Sequence, residues 1–168
     1  AFVTLTDGQA SYAFYDENTA GRMLTPADLP ALPDAVQALF FGGISLMTEP
    51  CGGAYEALMT RAAASRVTMI DPNIRPSFIA DEPAYRARLD RMIGLAEIVK
   101  LSDEDLGWLM GGGPVGAQAR AVLARGPKVV LITEGARGAR AVTRQGEVFM
   151  PAPRVTVADT VGAGDTFN

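Results

Sequence analysis

The sequence predicts an α/β fold, an open and mostly parallel sheet with helices on both faces. Short apolar runs alternate with longer stretches of helical spacing between residues 38 and 133, the pattern of repeated strand–helix–strand units. The run Lys128–Thr133 is nearly unbroken Val, Leu and Ile, as in a parallel strand covered on both sides. The polar segments then fall directly after the apolar runs, where open α/β sheets gather ligands.

Each element has its own warrant in the sequence. Ala1–Thr6 alternates apolar and polar residues and ends at Asp7-Gly8, while Ser11–Tyr15 alternates again; the two read as a hairpin. Two strands alone are marginal, so the hairpin needs a surface to pack on. Thr25-Pro26-Ala27-Asp28 supplies a cap, a proline at the first helical position and an acid at the third, and predicts a helix start. Ala38–Ile44 reads as a buried strand, 49–66 as a helix rich in Ala, Leu and Met, and Val67–Ile70 as a strand stopped by Asp71-Pro72-Asn73. Glu82–Gly94 carries Tyr85, Leu89, Met92 and Ile93 near helical spacing. Ala96–Leu101 is the next strand, followed by helices over Asp103–Met110 and Gly116–Arg125. Arg140–Thr143 and Glu147–Met150 close the series as a hairpin around Gln145-Gly146.

Composition bounds the function. At 168 residues and 48% hydrophobic, the chain can bury one substantial core and reads as a single domain. A net charge of −4 with no run of Lys or Arg excludes a nucleic-acid footprint. The longest apolar stretch, 35–47, is too short and too broken by glycine for a membrane span. One cysteine, Cys51, excludes an internal disulfide and fits a reducing cytoplasm. With no histidine, Ser-His-Asp and Cys-His mechanisms and His-ligated zinc drop out, leaving acid–base work to carboxylates, lysine or tyrosine. Gly111–Gly116 spells G-x-G-x-x-G but follows a helix, so the dinucleotide reading lacks its context. No P-loop string is present.

The tail carries the chemistry. Asp159-Thr160-Val161-Gly162-Ala163-Gly164-Asp165-Thr166-Phe167-Asn168 describes a loop turning into a helix. There the amides of Gly162, Ala163 and Gly164 would favour an anion. Asp165, one residue on, is placed to take a proton from whatever attacks that anion, the minimum equipment for moving a phosphoryl group onto a hydroxyl. Three further loops follow strands: Asp71–Pro76, with the amide of Asn73 and the guanidinium fork of Arg75; Lys100–Asp105; and Thr133–Gly138. In the second, Ser102 as a helix cap with first-turn acids is an equal reading beside a metal role. In the third, a tight turn into the next strand is the plain alternative to ligand contact.

The string Asp159–Asp165 resembles the C-terminal signature of the ribokinase-like (PfkB) sugar kinases, and the upstream loops resemble the same family in order across nearly the whole chain. The resemblance implies a three-layer α/β/α ribokinase-like fold, with residues 1–24 part of a β lid and 25–168 the kinase core. It implies ATP, Mg2+ and a sugar as ligands, with Asp165 as base, Gly162, Ala163 and Gly164 as the anion hole, and Arg75 near the transferred phosphoryl group. Tyr12, Phe14 and Asn73 then belong to the sugar site, and Lys100, Ser102, Thr133, Gly135 and Gly138 to the nucleotide site. Asp105 would meet magnesium through water, and Asp159 a monovalent cation such as K+. The lid implies a homodimer. Fructose is the expected substrate, from the similarity of Tyr12–Arg22 to fructokinase lids. 2-Keto-3-deoxygluconate and other sugars or nucleosides are alternatives, and a non-catalytic sugar- or nucleotide-binding module is an alternative of another class. The family is longer at both ends, so the chain is expected to be a fragment.

Overall fold

A computed structural model describes residues 2–6, 9–13, 15–157 and 162–168. Strands β1 (Phe2–Thr6) and β2 (Gln9–Ala13) form the expected antiparallel hairpin, a two-stranded sheet of its own. The main sheet has six strands in the order β3 (Ala38–Gly42), β4 (Val67–Asp71), β5 (Ile98–Ser102), β6 (Val129–Thr133), β7 (Gly138–Thr143) and β8 (Gly146–Pro151). The first three pairings are parallel and the last two antiparallel. Helix α1 (Cys51–Ala62) joins β3 to β4, α2 (Glu82–Leu95) joins β4 to β5, and α3 (Asp103–Met110) with α4 (Val115–Leu123) joins β5 to β6. The short α5 spans Ala163–Phe167.

The predicted helix start at Thr25 makes only one 3-10 turn, Pro26–Asp28. The capping acid is in place, with the Thr25 amide and hydroxyl both donating to Asp28 Oδ2 at 2.9 and 2.6 Å. Leu29 precedes Pro30, however, and is held extended (ψ 126°), which ends the turn. Arg66 and Arg61 then fasten the following segment through the carbonyls of Leu32, Val36 and Pro30.

Strand order follows chain order from β3 to β6, so right-handed crossovers carry α1–α4 to the same face of the sheet. Burial agrees. Phe41, Ile70, Val99, Val130 and Val142 are register partners, and all are buried in the core with Tyr85, Leu89, Met92 and Ile93 of α2. The alternate row points the other way and is only half covered: Phe40 is 53% exposed, and Met69, Ile98, Val129 and Leu131 are half-buried. The strand at 129–133 is therefore covered fully on one side only. Among the described residues, α5 is the helix that meets the second face, where it lies against Lys100.

Candidate active site at the carboxyl edge of the sheet

Four loops leave the carboxyl ends of β3–β6, and single contacts stitch them together. Gly43, after β3, presses directly on the Pro72 carbonyl, leaving no space there for a Cβ. Asp105, in the first turn of α3, accepts the Ile74 amide on Oδ1 at 2.8 Å and the Ser102 amide on Oδ2 at 3.2 Å; Ser102 Oγ in return accepts the Asp105 amide at 3.0 Å. Arg137, after β6, reaches Asp103 of α3 at 2.6 Å. The buried Glu134 beside it takes Arg137 and Arg140 at 3.3 and 3.0 Å. Finally Asn168 Nδ2 donates to Asp71 Oδ2 at 2.8 Å, bringing the tail onto β4.

The tail has the expected shape. Gly162 adopts a left-handed conformation (φ 78°) and α5 begins at the next residue. The Thr166 amide returns to the Gly162 carbonyl at 2.9 Å. Asp165 is exposed and makes no side-chain hydrogen bond or ion pair to another described residue. Asn73 is half-buried with φ 42°, and the half-buried Arg75 donates through Nη1 to the Ile74 carbonyl at 3.0 Å. Gly135 also has positive φ and open space around it, whereas Gly138 is glycine because the Met150 carbonyl of β8 occupies the space a Cβ would need. Thr133 and Ser102 are cross-strand register partners at the edge. Tyr12 falls in β2; Phe14 and Asp159 lie outside the described residues.

Two of the expected site residues are engaged within the protein. Lys100 is 4% exposed, and its Nζ pairs with Asp71 Oδ2 at 2.7 Å beneath Gly164. Asp105 is buried, and each of its carboxylate oxygens accepts a backbone amide. Burial first, and the Asp105 charge second, push the neighbouring Tyr85 hydroxyl well above the ordinary tyrosine range and keep it neutral. Among the described residues no group of three or more Cys, Asp or Glu side chains is arranged to hold a metal ion. No described helix is long and apolar enough to cross a membrane.

Asp71, Asn168, Gly43 and Glu134 were not singled out by sequence reasoning. For Asp71 a signal existed: it and Lys100 are the charged residues in two otherwise apolar strand runs.

The chain is similar to known proteins along its whole length. The profile of the pfkB family carbohydrate kinase matches residues 1–168. The chain is 58% identical to a fructokinase of Rhizobium leguminosarum bv. trifolii over 168 residues, all of this chain and 52% of the relative. A Vibrio cholerae O395 fructokinase double mutant, solved with fructose, ADP and potassium, superposes with a TM-score of 0.80 at 26% identity, covering 89% of this chain and 48% of that one. Aminoimidazole riboside kinase of Salmonella enterica, solved with its riboside and an ATP analogue, gives 0.77 at 30% identity, covering 85% and 48%. The chain spans about half the length of the curated relatives it matches.

Proposed function

This chain belongs to the pfkB family of carbohydrate kinases, and from that premise we propose that it is the phosphoryl-transfer part of an ATP-dependent fructokinase. The observation that carries the reading is the tail: a left-handed turn at Gly162 leads into α5, Asp165 stands exposed in its first turn, and Asn168 seats the segment at the carboxyl edge of the sheet. Identity of 58% to a fructokinase over this whole chain, about half of that relative, supports fructose as the acceptor.

In this reading a fructose hydroxyl attacks the γ-phosphorus of ATP. Asp165 takes the hydroxyl proton, the new O–P bond forms, and the bond to the β-phosphate oxygen breaks, releasing ADP. The amides of Gly162, Ala163 and Gly164, which open α5 without helical partners, face the charge spreading over the phosphoryl oxygens. Arg75 and Asn73 serve the transferred group and the sugar, with Tyr12 and Phe14 on the lid side. Ser102, Thr133, Gly135 and Gly138 border the nucleotide. Magnesium, carried on the ATP phosphates, would neutralise charge there, and Asp159 would be the residue to hold a monovalent cation such as the potassium bound in the Vibrio relative. The setting is cytoplasmic, and the β1–β2 hairpin is the surface for a homodimer.

The test is a coupled ADP-release assay on the full-length enzyme with fructose, 2-keto-3-deoxygluconate and ribose. Fructose should give the highest kcat/KM. Asp165→Asn should lower kcat by roughly 10²–10⁴, the range for a lost general base, with fructose affinity retained. A kcat within tenfold of the parent would remove Asp165 from the role.

A further inference from the structure

We propose that the buried Asp71–Lys100 pair, reaching the tail through Asn168, is a positioning device that sets where Asp165 and its neighbouring amides stand. The proposal rests on the kinase reading for what the tail does, and adds which residues hold it in place.

Asp71 and Lys100 sit side by side on β4 and β5, in the row that points away from α1–α4. They are 2% and 4% exposed. Such a pair is a poor device for stability alone, because desolvating two charges offsets most of their attraction and an apolar pair of similar volume often serves as well or better. The register neighbours of the pair on β3 and β6 are Gly42 and Leu131, neither of them polar. What the charges add is direction. Both donors converge on one oxygen, Asp71 Oδ2, with Lys100 Nζ at 2.7 Å and Asn168 Nδ2 at 2.8 Å. Asp71 Oδ1 has no hydrogen-bond partner among the described residues.

The tail meets this pair at two points that bracket Asp165. One residue before it, Gly164 packs so closely that a Cβ there would stand 3.4 Å from Lys100 Nζ. Three residues after it, Asn168 makes the hydrogen bond to Asp71. Among the described residues, that bond is the one side-chain hydrogen bond joining 162–168 to the rest of the molecule. Lys100 thus orients the Asp71 carboxylate, and the carboxylate holds the tail. Geometry errors near 1 Å at a reacting centre can cost about 10² in rate, so the anchor belongs to turnover as much as to folding.

Asn168→Ala in the full-length enzyme should leave the fructose KM nearly unchanged while lowering kcat about tenfold or more. Asn168→Asp should lose more than Asn168→Ala, because it sets a second carboxylate against Asp71. The paired substitution Asp71→Val with Lys100→Met removes both charges and the oxygen that accepts from Asn168. It should lower kcat comparably, and adding Asn168→Ala to it should cost no more than a further twofold, since the contact is already gone. If the paired variant does not fold, Asn168→Ala and Asn168→Asp decide alone. Parental kcat in Asn168→Ala, equal losses for Ala and Asp, or fully multiplicative losses in the combined variant would overturn the proposal. Asp165→Asn assayed in parallel separates the two readings: a loss there with parental kcat in Asn168→Ala rejects only the anchor, whereas parental kcat in Asp165→Asn rejects the kinase base.

Discussion

Two glycines show how unevenly the same residue type is constrained. At Gly43 any side chain would overlap the Pro72 carbonyl, so Gly43→Ala must push apart the loops after β3 and β4. Overpacking of that kind costs about 1–3 kcal/mol, and because the displaced loop carries Asn73 and Arg75, the sugar KM should rise as well. Gly107 sits within α3 with nothing near its would-be Cβ. There Ala should stabilise by roughly 0.5–1 kcal/mol through helix propensity. Urea denaturation of the two variants would check both signs. The sequence showed the glycine after β3 as a strand end, but nothing local announced the close approach, which depends on a segment about 30 positions away.

At the scale of elements, strand and helix order was legible because period and punctuation agreed, and α3 falls on Asp103–Met110 as expected. Two kinds of information were not local. The helix expected after Thr25 stops in one turn because Pro30 removes the conformation its predecessor needs. Asp105 reads equally as a metal ligand or as a first-turn acid behind the Ser102 cap until the partner of its second oxygen, Ile74 on a different loop, is known. Its role predicts a clean separation. Asp105→Ala loses the capping-box bond from the Ser102 amide, worth about 1 kcal/mol, and strands the buried Ile74 amide at about 1–3 kcal/mol, so stability should drop by roughly 2–4 kcal/mol. The magnesium concentration giving half-maximal rate should stay where it is. A tenfold rise in that concentration with stability unmoved would make Asp105 a ligand after all.

Across the whole molecule, the two faces of the sheet differ. One is sealed by α1–α4; the other presents Phe40, Val67, Val148 and Met150 at 40–68% exposure. An apolar surface of this kind promotes association in water. The 168-residue chain expressed alone should therefore enhance the fluorescence of an apolar dye such as ANS and sediment as larger species with rising concentration, while the full-length protein should do neither. Dye binding no stronger than that of the full-length protein would count against the open face. The ion pair on that same face has a different consequence. Dissolved ions weaken charge pairs they can surround, with a reach of about 10 Å at 0.1 M, but they have no access to a contact closed over by strand neighbours and a glycine backbone. The fixture at the working end of the sheet should hold its grip in dilute buffer and in brine alike, unlike the surface bridges elsewhere on the molecule.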